Sequence, residues 1–393
     1  MSNVNHAERA HSLLGASSSS RWMKCPASIP LTKDLPEETS VYAEEGTVAH
    51  EVCEMMLKGI ELPESLNGFN IDEEMIEHCR MYVDYINERS EGAEVYIEER
   101  VDLSHIDETM FGTNDGAIYK PFESLEVVDF KYGRGVAVGA ENNSQLLYYA
   151  LGMAKDMDIE KVTMTIVQPR ADHPKGPIRS WTIKYDELME WQKELQGAVS
   201  EVSLAEAVAE GGDERTLYED YSKSGSHCRF CKAAGFCKTL REESLAVAKT
   251  EFSDIPDHTE GEIILPEPSK LTSDELGRVM ASAEMLEGWF KAVRTYAHKQ
   301  AENGNKVAGF KLVQKRANRK WKDEDLVVEE FEDLMGDKLF EKKLLTPSKL
   351  EKIIGKDAVA EHTYKPETGT TLAPITDRRK EVVPQIQEDF TDI

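Results

Sequence analysis

Apolar and polar positions follow two different periods along this chain. Val48, Val52, Met55 and Met56 recur at helical spacing, as do Ile76, Val83 and Ile86 within 72–90, so both stretches predict helices with one buried face. From there the period drops to two. Residues 94–101 and 116–119 alternate, and 125–131 is a short apolar run ending in charge, as strands do. A helix is predicted over 145–155, strands over 161–168 and 180–185, and a long helix from an N-cap at Asp186 to about residue 210. Thr272 and Glu275 stand at capping-box spacing ahead of another long helix, 273–303. Residues 307–313 read as a strand, and Thr346-Pro347 fits the N-cap and first position of one of two short closing helices. Residues 1–20 are polar and Ser-rich. The acidic, Pro-containing stretch 251–270 predicts a linker, and 365–393, rich in Pro, Thr and charge, a mobile tail. Strands interleaved with helices in this order predict an α/β fold.

Composition adds limits. The chain has 393 residues, 40% of them hydrophobic, which is enough apolar mass for a real core and a length of two or three domain-sized units. No run of 18 apolar residues exists, so no membrane span is expected. No charged segment leads into an apolar one at the N-terminus, so the expected location is cytoplasmic. With 74 acidic and 47 basic residues the net charge is −27, which argues against coating nucleic acid by bulk charge. The acidity is uneven. Residues 72–108 hold 13 acids and 3 bases, and 186–220 hold 11 acids and 2 bases. Both segments read as solvated faces directed away from any nucleic acid, which leaves room for a local basic groove.

Six cysteines in a chain of this length make no disulfide scaffold. Cys53 and Cys79 sit within the amphipathic helical patterns and read as small buried hydrophobes. Cys228, Cys231 and Cys237 differ: C-x2-C-x5-C around a glycine is metal-ligand spacing. The fourth ligand is either Cys25, in Lys24-Cys25-Pro26, or His227. Zinc in a tetrahedral site and a [4Fe–4S] cluster both suit such a set.

The chemistry-bearing stretch is 111–131. Asp129 and Lys131 lie two apart on a strand and therefore share a face. Asp115 converges with them if the two strands are hairpin neighbours. Two carboxylates and the main-chain carbonyl of Phe130 make an oxygen site for Mg2+ or Mn2+. A lysine beside them can orient or deprotonate water and stabilise a pentavalent phosphate. No G-x4-G-K-[ST] pattern occurs, so the chain has no ATP-driven motor of that type.

His50, Asp115, Asp129-Phe130-Lys131 and Gln145-x3-Tyr149 stand in the order of the PD-(D/E)XK nucleases of the RecB type, and the chain resembles that family over about residues 12–240. The resemblance implies a restriction-endonuclease-like core, a mixed sheet flanked by helices. It implies that His50, Asp115 and Asp129 hold the metal, that Lys131 is catalytic, and that Gln145 and Tyr149 help hold DNA. Val128 stands where many family members have proline. In the iron–sulfur branch, as in the helicase-nuclease AddB and the CRISPR-associated adaptation nuclease, one Cys before the nuclease motifs joins three after them. Cys25, Cys228, Cys231 and Cys237 match that order, which favours a [4Fe–4S] staple over zinc. The layout also resembles a family of uncharacterised phage and prophage proteins. It implies a DNA exonuclease of phage recombination, replication or repair in a bacterial host, acting on single strands or duplex ends. Its protein partner would be a phage single-strand annealing protein or a helicase. The competing reading is a non-catalytic DNA-binding or assembly protein that keeps the fold.

Two segments run against the global charge. Residues 228–241 contain Arg229 and Lys232 and no acid; 311–322 contain Lys315, Arg316, Arg319, Lys320 and Trp321, again with no acid. Basic residues around one aromatic suit a single-strand phosphate track. The expected layout is a nuclease core over 1–250 closed by the cysteines, a linker over 251–270, a mainly helical region over 271–364 and a tail over 365–393.

Overall fold

The computed structural model describes residues 12–36, 40–251 and 272–310. All of them belong to the first of two units into which the chain divides, Met1–Lys311; the second is Leu312–Ile393. A short 3-10 turn over Ala16–Ser18 leads into α1 (Ser19–Trp22), and a second turn over Pro26–Ser28 follows Cys25. Then come α2 (Val41–Leu57), a small hairpin of β1 (Ser65–Leu66) and β2 (Phe69–Asn70), and α3 (Glu73–Arg89). The main sheet is β3 (Glu94–Asp102), β4 (Phe111–Lys120), β5 (Ser124–Phe130), β6 (Lys161–Val167) and β7 (Ile178–Lys184), with α4 (Ser144–Met153) between β5 and β6. The chain continues through α5 (Tyr185–Glu210), α6 (Glu214–Asp220), a 3-10 turn over Ser226–Phe230, α7 (Lys238–Glu251) and α8 (Ser273–Glu302).

The five strands lie in sequence order, all neighbours antiparallel except β5 and β6, which are parallel. Parallel neighbours need a long crossover, and α4 supplies it. The α/β expectation therefore holds as a mixed five-stranded sheet flanked by helices. One core lies between the sheet and α4 and α5, built on Leu125, Val127, Leu146, Tyr148, Met164 and Leu195. The other joins α2 and α3 to the opposite face through Val52, Cys53, Cys79, Tyr82, Val128 and Phe130. Both Cys53 and Cys79 are buried there as small hydrophobes, with Cys79 Sγ 3.4 Å from the Ala49 carbonyl. Asp72 caps α3 by accepting from Met75 N at 2.8 Å, and Ser40 caps α2 by accepting from Ala43 N.

Two local expectations are corrected. Asp186 lies inside the first turn of α5; Glu187 performs the capping, its carboxylate accepting from Lys184 N at 2.9 Å. Residues 307–310 form a turn instead of a strand, closed by Phe310 N donating to the Val307 carbonyl, with Gly309 at φ +79°. Within the Ser-rich run, Ser19 is fully buried, its Oγ 2.7 Å from both the Ala16 carbonyl and Ser144 Oγ. The expected linker and tail, and the helices around Thr346-Pro347, lie outside the described residues. No described helix is long and apolar enough to cross a membrane.

Candidate active site

A break in the sheet makes the site. The β4–β5 ladder runs from Lys120 opposite Ser124 to Gly116 opposite Val128 and stops there. Beyond it, β4 stays paired with β3 alone, and β5 continues beside β6 to Phe130 opposite Val167. The two strands part like a fork, and Asp115 and Asp129 sit at its opening. The N–H of Phe130, left past the end of the ladder, donates to Asp115 Oδ2 at 2.8 Å. A buried donor that loses its strand partner needs another acceptor, and the carboxylate provides it.

The same point carries a switch of face. Residues an even number apart on a strand share a face. Gly112 nevertheless lies against Tyr149 of α4, whereas Gly116 lies against Tyr82 of α3 on the other side of the sheet. On β3, Val95 packs in the α2–α3 core and Val101 in the α4–α5 core. Both strands therefore change sides between these positions. Glu98 and Asp115 sit at the change, where the β3–β4 pairing skips one position between Ile97–Gly116 and Glu99–Asn114, and Glu98 takes a left-handed φ of +53°. Such a conformation is costly for a residue with a Cβ and tends to persist at functional positions.

The consequence is convergence. Ligand atoms of His50, Glu98 and Asp115 lie within 4.8 Å of one another, a grouping that can hold a metal ion. His50 comes from α2, its Nδ1 3.3 Å from Asp115 Oδ1, and its ring meets the Phe130 ring edge-on with centroids 5.5 Å apart. Burial pulls the His50 pKa down, but the Asp115, Glu98 and Asp129 carboxylates outweigh it and hold the imidazole at about 9. Burial pushes Asp115 up, yet His50, Lys131 and the Phe130 N–H bring it below the usual carboxylate value.

On the α4 side stands a second group. Asp129 is 1% exposed. Lys131 Nζ lies 3.0 Å from its Oδ2 and donates to Oδ1 at 3.2 Å. Gln145 ties the pair together: its Oε1 accepts from Lys131 Nζ at 3.0 Å and its Nε2 donates to Asp129 Oδ1 at 3.0 Å. Burial, partly offset by Lys131 and reinforced by Asp115, pushes Asp129 up to about 6. Burial draws Lys131 down, but Asp129 and Asp115 more than reverse it, so its pKa is raised and the ammonium persists at neutral pH. Asp129 Oδ2 is buried without a well-formed hydrogen bond, an oxygen left with a lone pair to offer.

The residues predicted for the nuclease site meet here: His50, Asp115, Asp129, Phe130, Lys131, Gln145 and Tyr149. Gln145 sits inside the carboxylate–lysine group, and Tyr149 is buried behind it, its hydroxyl 3.4 Å from Gln145 Nε2. Glu98 was missed. It lies in the acidic stretch read as a solvated face, and only its place beside Asp115 of the neighbouring strand marks it. That stretch therefore does not point wholly away from the site.

The four cysteines meet elsewhere. Cys25, Cys228, Cys231 and Cys237 line one cavity together with Arg21, Ser28 and His227. Lys223 N lies 3.5 Å from Cys25 Sγ as donor, while His227 Nε2 sits 2.8 Å from the Lys223 carbonyl. Burial raises the thiol pKa values of Cys25 and Cys231, and that of Cys228 to about 11; each would also be repelled by neighbouring thiolates. Exposed Arg229 and Lys232 lie on this segment, which packs on α8 through Phe236 and Tyr296, ring centroids 5.7 Å apart. Lys315, Arg316, Arg319, Lys320 and Trp321 lie outside the described residues.

Residues 11–380 match the family described as Protein of unknown function (DUF2800). The chain belongs to the DUF2800 family. Among solved structures, this DUF2800 chain is similar to an alkaline exonuclease (LHK-Exo) from Laribacter hongkongensis, at 13% identity and a TM-score of 0.24, over 50% of this chain and 96% of that one. The complex of LHK-Exo with dAMP aligns over the same shares at 15% identity and a TM-score of 0.25.

Proposed function

We propose that this DUF2800 chain is a metal-dependent deoxyribonuclease, an exonuclease that hydrolyses phosphodiester bonds at DNA ends or in single strands. The observation that carries the reading is the pairing, across one strand fork, of a His–Glu–Asp group with a buried Asp–Lys pair held by one glutamine. His50, Glu98, Asp115 and Asp129 would hold a divalent cation, with the Phe130 carbonyl as a further oxygen. Carboxylate and carbonyl oxygens suit Mg2+ and Mn2+, and one imidazole among them favours Mn2+, the softer of the two. The left-handed backbone at Glu98, which sets its carboxylate beside His50 and Asp115, supports the fit. When bound, such a cation supplies Lewis-acid polarisation of the phosphodiester.

The protein's own groups account for the rest. Lys131 keeps its proton, so it is an electrostatic group and hydrogen-bond donor to charge developing on phosphate oxygens, and a poor general base. Gln145 contacts both Lys131 and Asp129 and so fixes the lysine Nζ relative to the carboxylate. Asp115 orients the His50 ring while bracing the end of β5 through Phe130 N. End-labelled single- and double-stranded DNA with Mg2+ or Mn2+ tests the reading. Wild type should shorten the substrate, and Asp129→Ala and Lys131→Ala should not. A wild type as inert as Asp129→Ala would overturn it.

We also propose that Cys25, Cys228, Cys231 and Cys237 hold a [4Fe–4S] cluster that staples the two ends of the nuclease core. What supports four-sulfur ligation is that all four cysteines line one cavity, and one cysteine before the nuclease motifs with three after them is the order of the iron–sulfur branch. Burial keeps these thiols protonated, so their ligation would release protons to a cationic centre. Anaerobically purified protein should be brown; colourless protein with stoichiometric zinc would overturn the assignment. The role this reading implies is in phage DNA recombination, replication or repair.

A further inference from the structure

The segment directly after Lys131 is an exposed loop, 133–139, containing three glycines: Gly133, Gly135 and Gly139. Among the described residues nothing explains them. None has a positive φ, and a Cβ at any of them would meet no atom within 4 Å. Glycine without a conformational or packing reason leaves bare backbone for something outside to approach. The backbone is also poised to donate. Among the described residues, none of the N–H groups at 133–137 finds an acceptor. Exposed backbone N–H groups are donors that a phosphate oxygen can accept from.

Beneath the loop lies a rigid support. Gln168, 1% exposed, donates through Nε2 to the carbonyls of Gly133 at 3.0 Å and Val136 at 2.8 Å, and its Oε1 accepts from Val138 N at 2.9 Å. Arg179, 3% exposed, donates to the Val138 carbonyl at 2.8 Å, to Gln168 Oε1 at 2.7 Å and to the Gly176 carbonyl at 2.9 Å. All its partners are neutral, and among the described residues no carboxylate pairs with it. Burying an arginine without a counter-ion is expensive. A surface loop needs no such support merely to connect two elements. The cost makes sense if an anion completes the arrangement from the open side. Arg134, on the loop, holds Glu74 at 2.7 Å in an exposed pair of the kind that contributes little and exchanges readily.

We propose that loop 133–139 is a phosphate-binding loop that seats the sugar-phosphate backbone of a nucleic-acid strand beside Lys131, with Gln168 and Arg179 fixing its shape and charge. The proposal rests on the nuclease reading for its substrate, but binding can be measured without cleavage. The probe is a fluorescein-labelled single-stranded oligonucleotide, followed by anisotropy in Ca2+, with cleavage in Mn2+ measured in parallel. Gly135→Glu adds a carboxylate in open space and should weaken binding about five- to tenfold, with the melting temperature unchanged. Gly197→Glu, on exposed α5, adds the same charge elsewhere and should bind as wild type does. Arg134→Ala should lower the slope of log affinity against log salt by about 0.7; if Gly135→Glu disturbs folding, this variant decides. Unchanged binding by both loop variants, or a wild type that binds no oligonucleotide, overturns the loop assignment. A wild type that binds through the loop but cleaves nothing sinks the nuclease reading alone.

Discussion

The His50–Asp115 pair makes divalent-metal affinity depend steeply on pH. Coordination needs a neutral imidazole, whereas the carboxylates around His50 hold its pKa at about 9. At pH 7 about 1% of the ring is neutral, so binding must work against about 2.7 kcal/mol, two units at 1.36 kcal/mol each. Affinity for Mn2+ should therefore rise about tenfold per pH unit from 7 and level off above about 9. The sign for the metal-free protein is opposite. A raised histidine pKa adds stability fully present below the unfolded value of 6.5 and lost as pH rises through about 9. The stabilisation conferred by Mn2+ should thus widen with pH while the metal-free melting temperature falls. Calorimetric titration in two buffers with different protonation heats counts the protons released: about one at pH 7, falling towards none above pH 9. His50→Gln should flatten the profile. Affinity that does not change between pH 7 and 9, or a slope that survives His50→Gln, would refute the assignment of His50 as a ligand.

Three further outcomes follow from particular contacts. Asp129 has its pKa raised, so its contribution is present below the usual carboxylate value and lost as pH rises through about 6. Asp129→Asn should therefore stabilise the metal-free protein at pH 8 by about 1–2 kcal/mol, less than the full shift because Lys131 loses an anion, while abolishing cleavage; urea denaturation in chelator checks the sign. Ser19→Ala removes the buried bond that ties the segment leading to Cys25 to Ser144, beside Gln145, and should cost about 1–2 kcal/mol by the same measurement. A Cβ at Gly152 would collide with the Val101 side chain, so Gly152→Ala should cost about 1–3 kcal/mol by forcing α4 off β3; equal stability would show that α4 can shift freely.

Much of the site is legible because it is local. Asp129 and Lys131 share a face through the two-residue strand period, and Gln145 and Tyr149 through helical spacing; these pairs follow from which element each occupies. Glu98 was not legible. Its segment reads as one more acidic strand, and nothing nearby in sequence distinguishes it from Glu94 or Glu99. The support under loop 133–139 escaped for a similar reason, since Gln168 and Arg179 lie 11 residues apart with a strand turn between them. The overall charge misled at first reading, because a net charge averages over faces that the fold separates.

The amino-acid sequence alone determined α2 to α5 and α8, the strands of the main sheet, the Asp–x–Lys face, and the spacing of three cysteines. Each of these depends on backbone geometry over a few residues. The tertiary structure decided what requires distance. It parted β4 from β5 at Gly116 and reversed the facing of two strands at Glu98 and Asp115. It also brought Cys25 to a cavity shared with residues some 200 positions later, where Lys223 N meets its sulfur across a separation of 198. Those arrangements come from packing two helical layers on a twisted sheet, where a strand end unable to continue its ladder must take its hydrogen bonds from side chains.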